Sequence, residues 1–240
     1  MKDNAAKSPN SFAERYEAVL LPVIFRPWAR ELIRRAAPQN HEHVLDLACG
    51  TGAVTREVAS SGVMPASLTG VDFNSGMLKV ARDRAAEAGV EAEWVEADAG
   101  QLPFADDRFD VAFCVSTELS SNPVLQSQAA ALEKHAGPEA GSVVRAICSL
   151  PDGNEIGGLF EAAGFIDVEV EEVSLTLHHP DGRAFAAGAM GGMHTGDKLA
   201  KLSEAKLEQC VDDFLTGLAD FRDGTAIRFP HISNVVAARA

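Results

Sequence analysis

From Ser11 to Ala37 the apolar residues Phe12, Tyr16, Val19, Leu20, Ile24, Trp28, Leu32 and Ile33 recur at three- and four-residue steps. That spacing predicts helix. Pro22 and Pro27 are expected to break it into two pieces, and Pro38 to end it. Strand and helix signals then alternate. His43 to Ala48 reads as a strand running into glycines, Val54 to Ser61 as a helix, Ser67 to Phe73 as a strand, and Ser75 to Ala88 as a helix. Glu91 to Ala97 and Phe109 to Val115 follow as strands. This order with short connections predicts an α/β fold: a Rossmann-like, mostly parallel central sheet with helices on both faces.

Further on, Pro123 to Ala136 and Asn154 to Ala163 read as helices, and Val168 to Leu177 and Ile232 to Ala238 as strands. Leu202 to Phe221 is amphipathic, with Ser203 near its start. Ser142 to Cys148 is an apolar, β-branched run that reads as a strand, and the glycine-rich stretch 180–196 reads as a loop. With no repeat and no low-complexity linker, the expectation is one domain over 1–240. Its parts are N-terminal helices at 11–37, a cofactor-binding half at 43–115, and a substrate or lid half at 116–240.

The chain has 240 residues, a net charge of −14 and 46% hydrophobic residues. That charge disfavours nucleic acid and anionic membranes, which need a basic surface. Arg26, Arg30, Arg34 and Arg35 fall close together and read as a solvated helix face. The four cysteines form no C-x-x-C pair, so neither a metal site nor a disulfide framework is expected, and a reducing cytoplasm fits. Residues 1–10 are polar and resemble no signal peptide, and the apolar stretch Ala18 to Phe25 is too short to span a bilayer.

The candidate chemistry lies where Val44-Leu45-Asp46-Leu47 feeds Gly50-Thr51-Gly52 and a helix. Glycines there let a ligand reach the backbone, and the helix start presents free N–H groups. Asp72, at the end of the second strand, can accept hydrogen bonds from both hydroxyls of a ribose. These two features also fit a dinucleotide site. Against it stand Thr55, where that fingerprint needs a third glycine, and Asp46, whose carboxylate suits a ligand with a positive ammonium group.

Residues 44 to 55, VLDLACGTGAVT, resemble motif I of the class I S-adenosylmethionine-dependent methyltransferases. GVDFNSGMLKVARDRA (70 to 85) resembles that family's second strand and helix, and EADAGQLPFADDRFDVAFC (96 to 114) its adenine motif and fourth strand. RYEAVLLPVIFRPWARELI is similar to the N-terminal helices of a bacterial branch related to the quinone-biosynthesis methyltransferases. The resemblance implies S-adenosylmethionine as cofactor, with Ala48, Gly50, Thr51 and Gly52 bordering its methionine portion and Asp46 near its amino group. It puts Asp72 on the ribose hydroxyls, Phe73 and Met77 near the adenine, Asp98 on the adenine amino group, and Ala97 and Ala99 beside the ring. Cys114 and Val115 would lie under the methyl group. Tyr16 either closes over the cofactor or packs between helices.

After Val115 the sequence departs from the family. One alignment reads NPVLQSQAAALEKHAGPEA as the segment that follows a fifth strand, so that the fifth strand itself is lost. Another recruits Val143, Val144 and Ile147 as its replacement. In a third, the last two strands close directly onto the fourth. The expected function is methyl transfer to an O, N or C nucleophile of a small molecule. The alternatives are a cofactor-binding protein without catalysis and, further off, a nicotinamide-dependent oxidoreductase. No catalytic residue stands out: His135, His178, His179 and His194 are chemically able, His194 being the first to test, and Met190 and Met193 either line an acceptor pocket or pack the core. An apolar gap beside the fourth strand would favour a homodimer.

Overall fold

The computed structural model describes residues 12–114, 117, 119–148, 152–191 and 199–239. The N-terminal helices form one continuous path rather than two pieces. Helix α1 (Phe12–Arg15) runs into a π-helical segment (Tyr16–Phe25) and then into α2 (Arg26–Ala36). The Arg26 N–H donates to the Leu21 carbonyl, five residues back, and this wider turn accommodates the Pro22 ring. Pro27 falls in the first turn of α2. Ala37 closes the helix in a left-handed conformation with φ of 44°.

Strands β1 (His43–Leu47), β2 (Ser67–Asp72), β3 (Glu93–Glu96) and β4 (Val111–Phe113) form a parallel sheet in the order β3-β2-β1-β4. Helices α3 (Ala53–Ser60) and α4 (Ser75–Glu87) make the crossovers. The sheet ends at β4 among the described residues, which agrees with the alignment that loses the fifth strand.

The replacement strand does not form. Val143 and Val144 lie in α6 (Pro138–Ala146), with Ile147 as its C-cap, and this helix folds back on α5 (Pro123–Ala136). Ala140, Gly141, Val144 and Cys148 are buried while Ser142 and Arg145 are exposed, a helical rather than an alternating period. Among the described residues the last strands do not close onto β4 either. After α7 (Gly153–Ala162), β5 (Ile166–His179) pairs antiparallel with β7 (Ala226–Arg239), and β6 (Arg222–Asp223) completes a separate three-stranded sheet.

The chain after β4 is tied to β7 by side chains instead. Asn122, fully buried, donates from Nδ2 to the Ile232 carbonyl at 2.8 Å and accepts the Ile232 N–H at 2.8 Å. Thr117 donates to the same carbonyl at 2.7 Å.

The stretch expected as a loop holds helix α8 (Gly182–Gly191). Phe185, Ala186, Ala189 and Met190 are its buried stripe, so Met190 packs the core. Its glycines serve close packing: a Cβ on Gly188 would stand 2.5 Å from Val19. Residues 192–198, with Met193 and His194, lie outside the described residues. Helix α9 (Glu204–Thr216) is capped by Ser203, which accepts the Lys206 N–H. The main core gathers Trp28, Leu132, Phe185, Phe214, Leu218 and Phe229 between α2, α5, α8, α9 and the second sheet. Each such side chain contributes about 1.5–3 kcal/mol through burial. No helix of the described residues is long and apolar enough to cross a membrane.

Candidate functional site

The loop between β1 and α3 alternates its backbone. Ala48, Gly50 and Gly52 have φ of 54°, 55° and 78°, the last two at glycines, where this conformation carries no side-chain penalty. The Cys49 N–H donates to the Val71 carbonyl at 2.9 Å, which ties the loop to β2. The Gly50 N–H donates to Asp72 Oδ2 at 2.8 Å. Asp72 Oδ1 accepts the Asn74 N–H at 2.9 Å, and Asn74 in turn caps α4 through its side chain. A carboxylate has about four acceptor positions, so these two bonds leave acceptor capacity on Asp72.

Asp46 is buried beneath the loop. Its Oδ2 accepts both the Thr55 N–H at 2.9 Å and the Thr55 hydroxyl at 2.8 Å. Burial raises its carboxyl to about 6; the two Thr55 bonds oppose that rise, and the Asp72 charge adds to it. The Thr51 hydroxyl is buried in the same loop without a hydrogen-bond partner. Such a group costs stability unless a ligand satisfies it.

Tyr16 reaches over the loop from the π-helical segment, stacked on Phe25 with ring centroids 4.7 Å apart. Its hydroxyl stands 3.5 Å, and the Met77 methyl 3.6 Å, from where a Cβ on Gly50 would sit. Burial raises the phenol well above its usual range, with Asp72 and Asp46 adding to the effect. Beside Asp72, Phe73 is 72% exposed, a large apolar face open to solvent at the end of a core strand. The Ala97 N–H donates to the Asp72 carbonyl at 3.2 Å. Asp98 and Ala99 are exposed beyond it, with Asp98 Oδ1 accepting the Gly100 N–H at 2.8 Å. Cys114 is exposed at the end of β4, and Val115 lies outside the described residues.

Gly52 differs from expectation. The space a side chain there would need is filled by the Trp94 indole, 2.5 Å from the Cβ position, and the same ring lies 2.5 Å from a Cβ on Gly70. Gly52 is small to receive an aromatic ring from β3.

The histidine candidates have other partners. His135 pairs with Asp213 between α5 and α9, and His179 accepts the Asp181 N–H at 3.0 Å beyond β5. His178 is exposed on β5. Among the described residues the buried histidine is His231, whose Nδ1 accepts the Trp28 indole N–H at 2.9 Å and whose pKa burial lowers to about 4. Sequence reasoning also missed the roles of Thr55, Trp94 and Asn122. Thr55 carried a usable signal, a hydroxyl residue in the first turn behind a strand carboxylate. Trp94 was legible only with the register that sets it opposite Gly70. Among the described residues no cluster of three His, Cys, Asp or Glu could hold a metal ion.

Comparison with known proteins agrees with this geometry. A family described as "Methyltransferase domain" matches residues 44–138. The ubiquinone/menaquinone biosynthesis C-methyltransferase of Ectopseudomonas mendocina is 38% identical over 114 residues, covering 45% of this chain and 44% of that protein. The demethylmenaquinone methyltransferase of Clavibacter sepedonicus is 45% identical over 83 residues, covering 35% of this chain and 32% of that protein. The chain thus spans under half the length of these curated relatives. Two solved structures share the fold. A putative methyltransferase from Bacillus halodurans has TM-score 0.50 at 18% identity, covering 88% of this chain and 97% of that one. The YcgJ protein of Bacillus subtilis has TM-score 0.52 at 16% identity, covering 89% and 98%. Residues 44–138 thus match a methyltransferase-domain family, and the chain is similar in sequence to quinone-biosynthesis methyltransferases over under half of its length.

Proposed function

We propose that the chain binds S-adenosylmethionine across the β1–α3 loop and transfers its methyl group to a small-molecule nucleophile. The observation that carries this reading is Asp72, which braces the glycine loop through the Gly50 N–H and keeps acceptor capacity for ribose hydroxyls beside an exposed Phe73. The orphaned Thr51 hydroxyl and buried Asp46 suit the polar amino-acid end of that cofactor. Asp98 and Ala99 offer an exposed polar edge to the adenine. Bound there, the cofactor supplies an activated sulfonium methyl group, and the chain's part is to orient it for in-line displacement. The Ectopseudomonas mendocina relative is named a C-methyltransferase of quinone biosynthesis, which favours a carbon acceptor within the O, N or C range. A homodimer and a reducing cytoplasm belong to the same reading; the free cysteines among the described residues fit the second.

Calorimetric titration with S-adenosylmethionine and with NADH tests the cofactor. Binding of the first and not the second is expected, and Asp72→Ala should weaken it by about 1–3 kcal/mol. Tight NADH binding alone overturns the reading. A dinucleotide is disfavoured because Thr55 stands where that fingerprint needs a third glycine. A second reading, cofactor binding without turnover, draws on the sheet that ends at β4. Binding with no S-adenosylhomocysteine formed across a broad acceptor panel would favour it.

A further inference from the structure

Arg56, in the first turn of α3, and Glu17, next to Tyr16 in the π-helical segment, form an ion pair that joins distant parts of the chain. Arg56 Nη2 donates to Glu17 Oε1 at 2.8 Å, while Nη1 donates to the Thr51 carbonyl at 3.0 Å. Both side chains are only 13% exposed. Glu17 Oε2 is buried without a hydrogen-bond partner, so the carboxylate relies on Arg56 for compensation.

One guanidinium therefore holds the glycine loop with one nitrogen and the N-terminal helix with another, a task that needs a rigid planar fork. Tyr16 precedes Glu17, and its hydroxyl crosses the Gly50 face of the loop. We propose that Arg56 and Glu17 are positioning residues that strap the Tyr16 phenol across Gly50, so that a ligand lying on that face is retained by the strap. The inference rests on the cofactor site proposed above and adds the element that closes it.

Tyr16 is the single tyrosine of the chain, so its ionisation can be followed by absorbance with no ligand present. Arg56→Gln is the informative variant. Losing a nearby cation would by itself raise the phenol's midpoint, whereas release of the strap exposes the ring and lowers the midpoint toward about 10. The expected result is a fall, together with at least about tenfold faster dissociation of S-adenosylhomocysteine. If Arg56→Gln does not fold, Glu17→Gln, which removes the charge that Arg56 compensates, is read by the same dissociation rate, with Arg56→Lys giving an intermediate value. An unchanged or raised tyrosine midpoint in Arg56→Gln overturns the strap. A lowered midpoint with wild-type dissociation overturns retention. A wild-type chain that does not bind S-adenosylhomocysteine overturns the cofactor site and retention together, and the midpoint then still decides whether the strap exists.

Discussion

Thr55 donates both its hydroxyl and its backbone N–H to one oxygen of Asp46, at 2.8 and 2.9 Å. Two donors on one buried oxygen keep the carboxylate more acidic than its burial alone would allow. Thr55→Val preserves the shape and removes one donor. Cofactor affinity at neutral pH should fall by about 1.5–3 kcal/mol, the scale of a hydrogen bond to a charged group. Thr55→Ser should restore most of it. Calorimetry at pH 7 checks both, and wild-type affinity in Thr55→Val would remove Asp46 from the binding argument.

Asp46 also predicts opposite pH dependences for stability and binding. Its carboxyl is raised to about 6 in the fold, from its ordinary 3.8. Between those values the folded chain holds more protons than the unfolded one, so this residue's contribution to stability grows as pH falls from 6 to 4, reaching about 3 kcal/mol. A cationic ammonium needs the charged carboxylate, so cofactor affinity should drop over the same window. Denaturant titrations and calorimetry across pH 4–7, each repeated on Asp46→Asn, would show both slopes flattened in the variant if the assignment holds.

His231 pushes the other way. Neutral in the fold, with a pKa lowered to about 4 from 6.5, it accepts the Trp28 indole N–H. The unfolded state takes up the proton first, so stability is lost as pH falls from 6.5 to 4, by about 3 kcal/mol. Asp46 and His231 thus offset each other in wild type. In His231→Gln the acid loss should vanish and unfolding midpoints should rise on mild acidification; a wild-type pH profile would contradict the assignment.

At Gly52 even one methyl group meets the Trp94 ring at 2.5 Å, at a backbone φ of 78°. Gly52→Ala should destabilise the fold by about 2–4 kcal/mol, overpacking added to left-handed strain. Paired with Trp94→Leu, the overpacking part should be recovered and the strain part retained. Thermal unfolding of the two variants separates these terms, and equal losses in both would show that the ring is not the obstacle.

Asn122 bridges the end of the first sheet region to β7 through the Ile232 N–H and carbonyl. Asn122→Ala leaves those buried groups unpaired and should cost about 2–4 kcal/mol in urea denaturation. A loss below 1 kcal/mol would mean that another group takes its place.

The strands β1 to β4 and helix α5 were legible because short apolar runs bounded by turn residues differ clearly there from helical spacing. Residues 142–148 misled because a short β-branched run carries both periods; the helix forms where the neighbouring Gly141 packs against Glu133 and Ala129 of α5. Helix α8 misled for a different reason. Its glycines look like loop residues but are the places where helices meet, against Val19 and Arg15. At the site, Asp46, Asp72 and the glycines could be read from their spacing, whereas Thr55 attracted notice only for not being glycine. Partnerships across the fold, such as Trp94 with Gly52 or Trp28 with His231, leave no local trace in the chain.

The two sheets share no backbone ladder among the described residues; β1–β4 form one and β5–β7 the other. Opening events therefore need not travel between them, and the molecule should exchange its amide hydrogens as two cooperative units rather than one. The unit carrying the glycine loop could then loosen to admit a small molecule while the other half stays closed, so that breathing and integrity reside in different parts of the same chain.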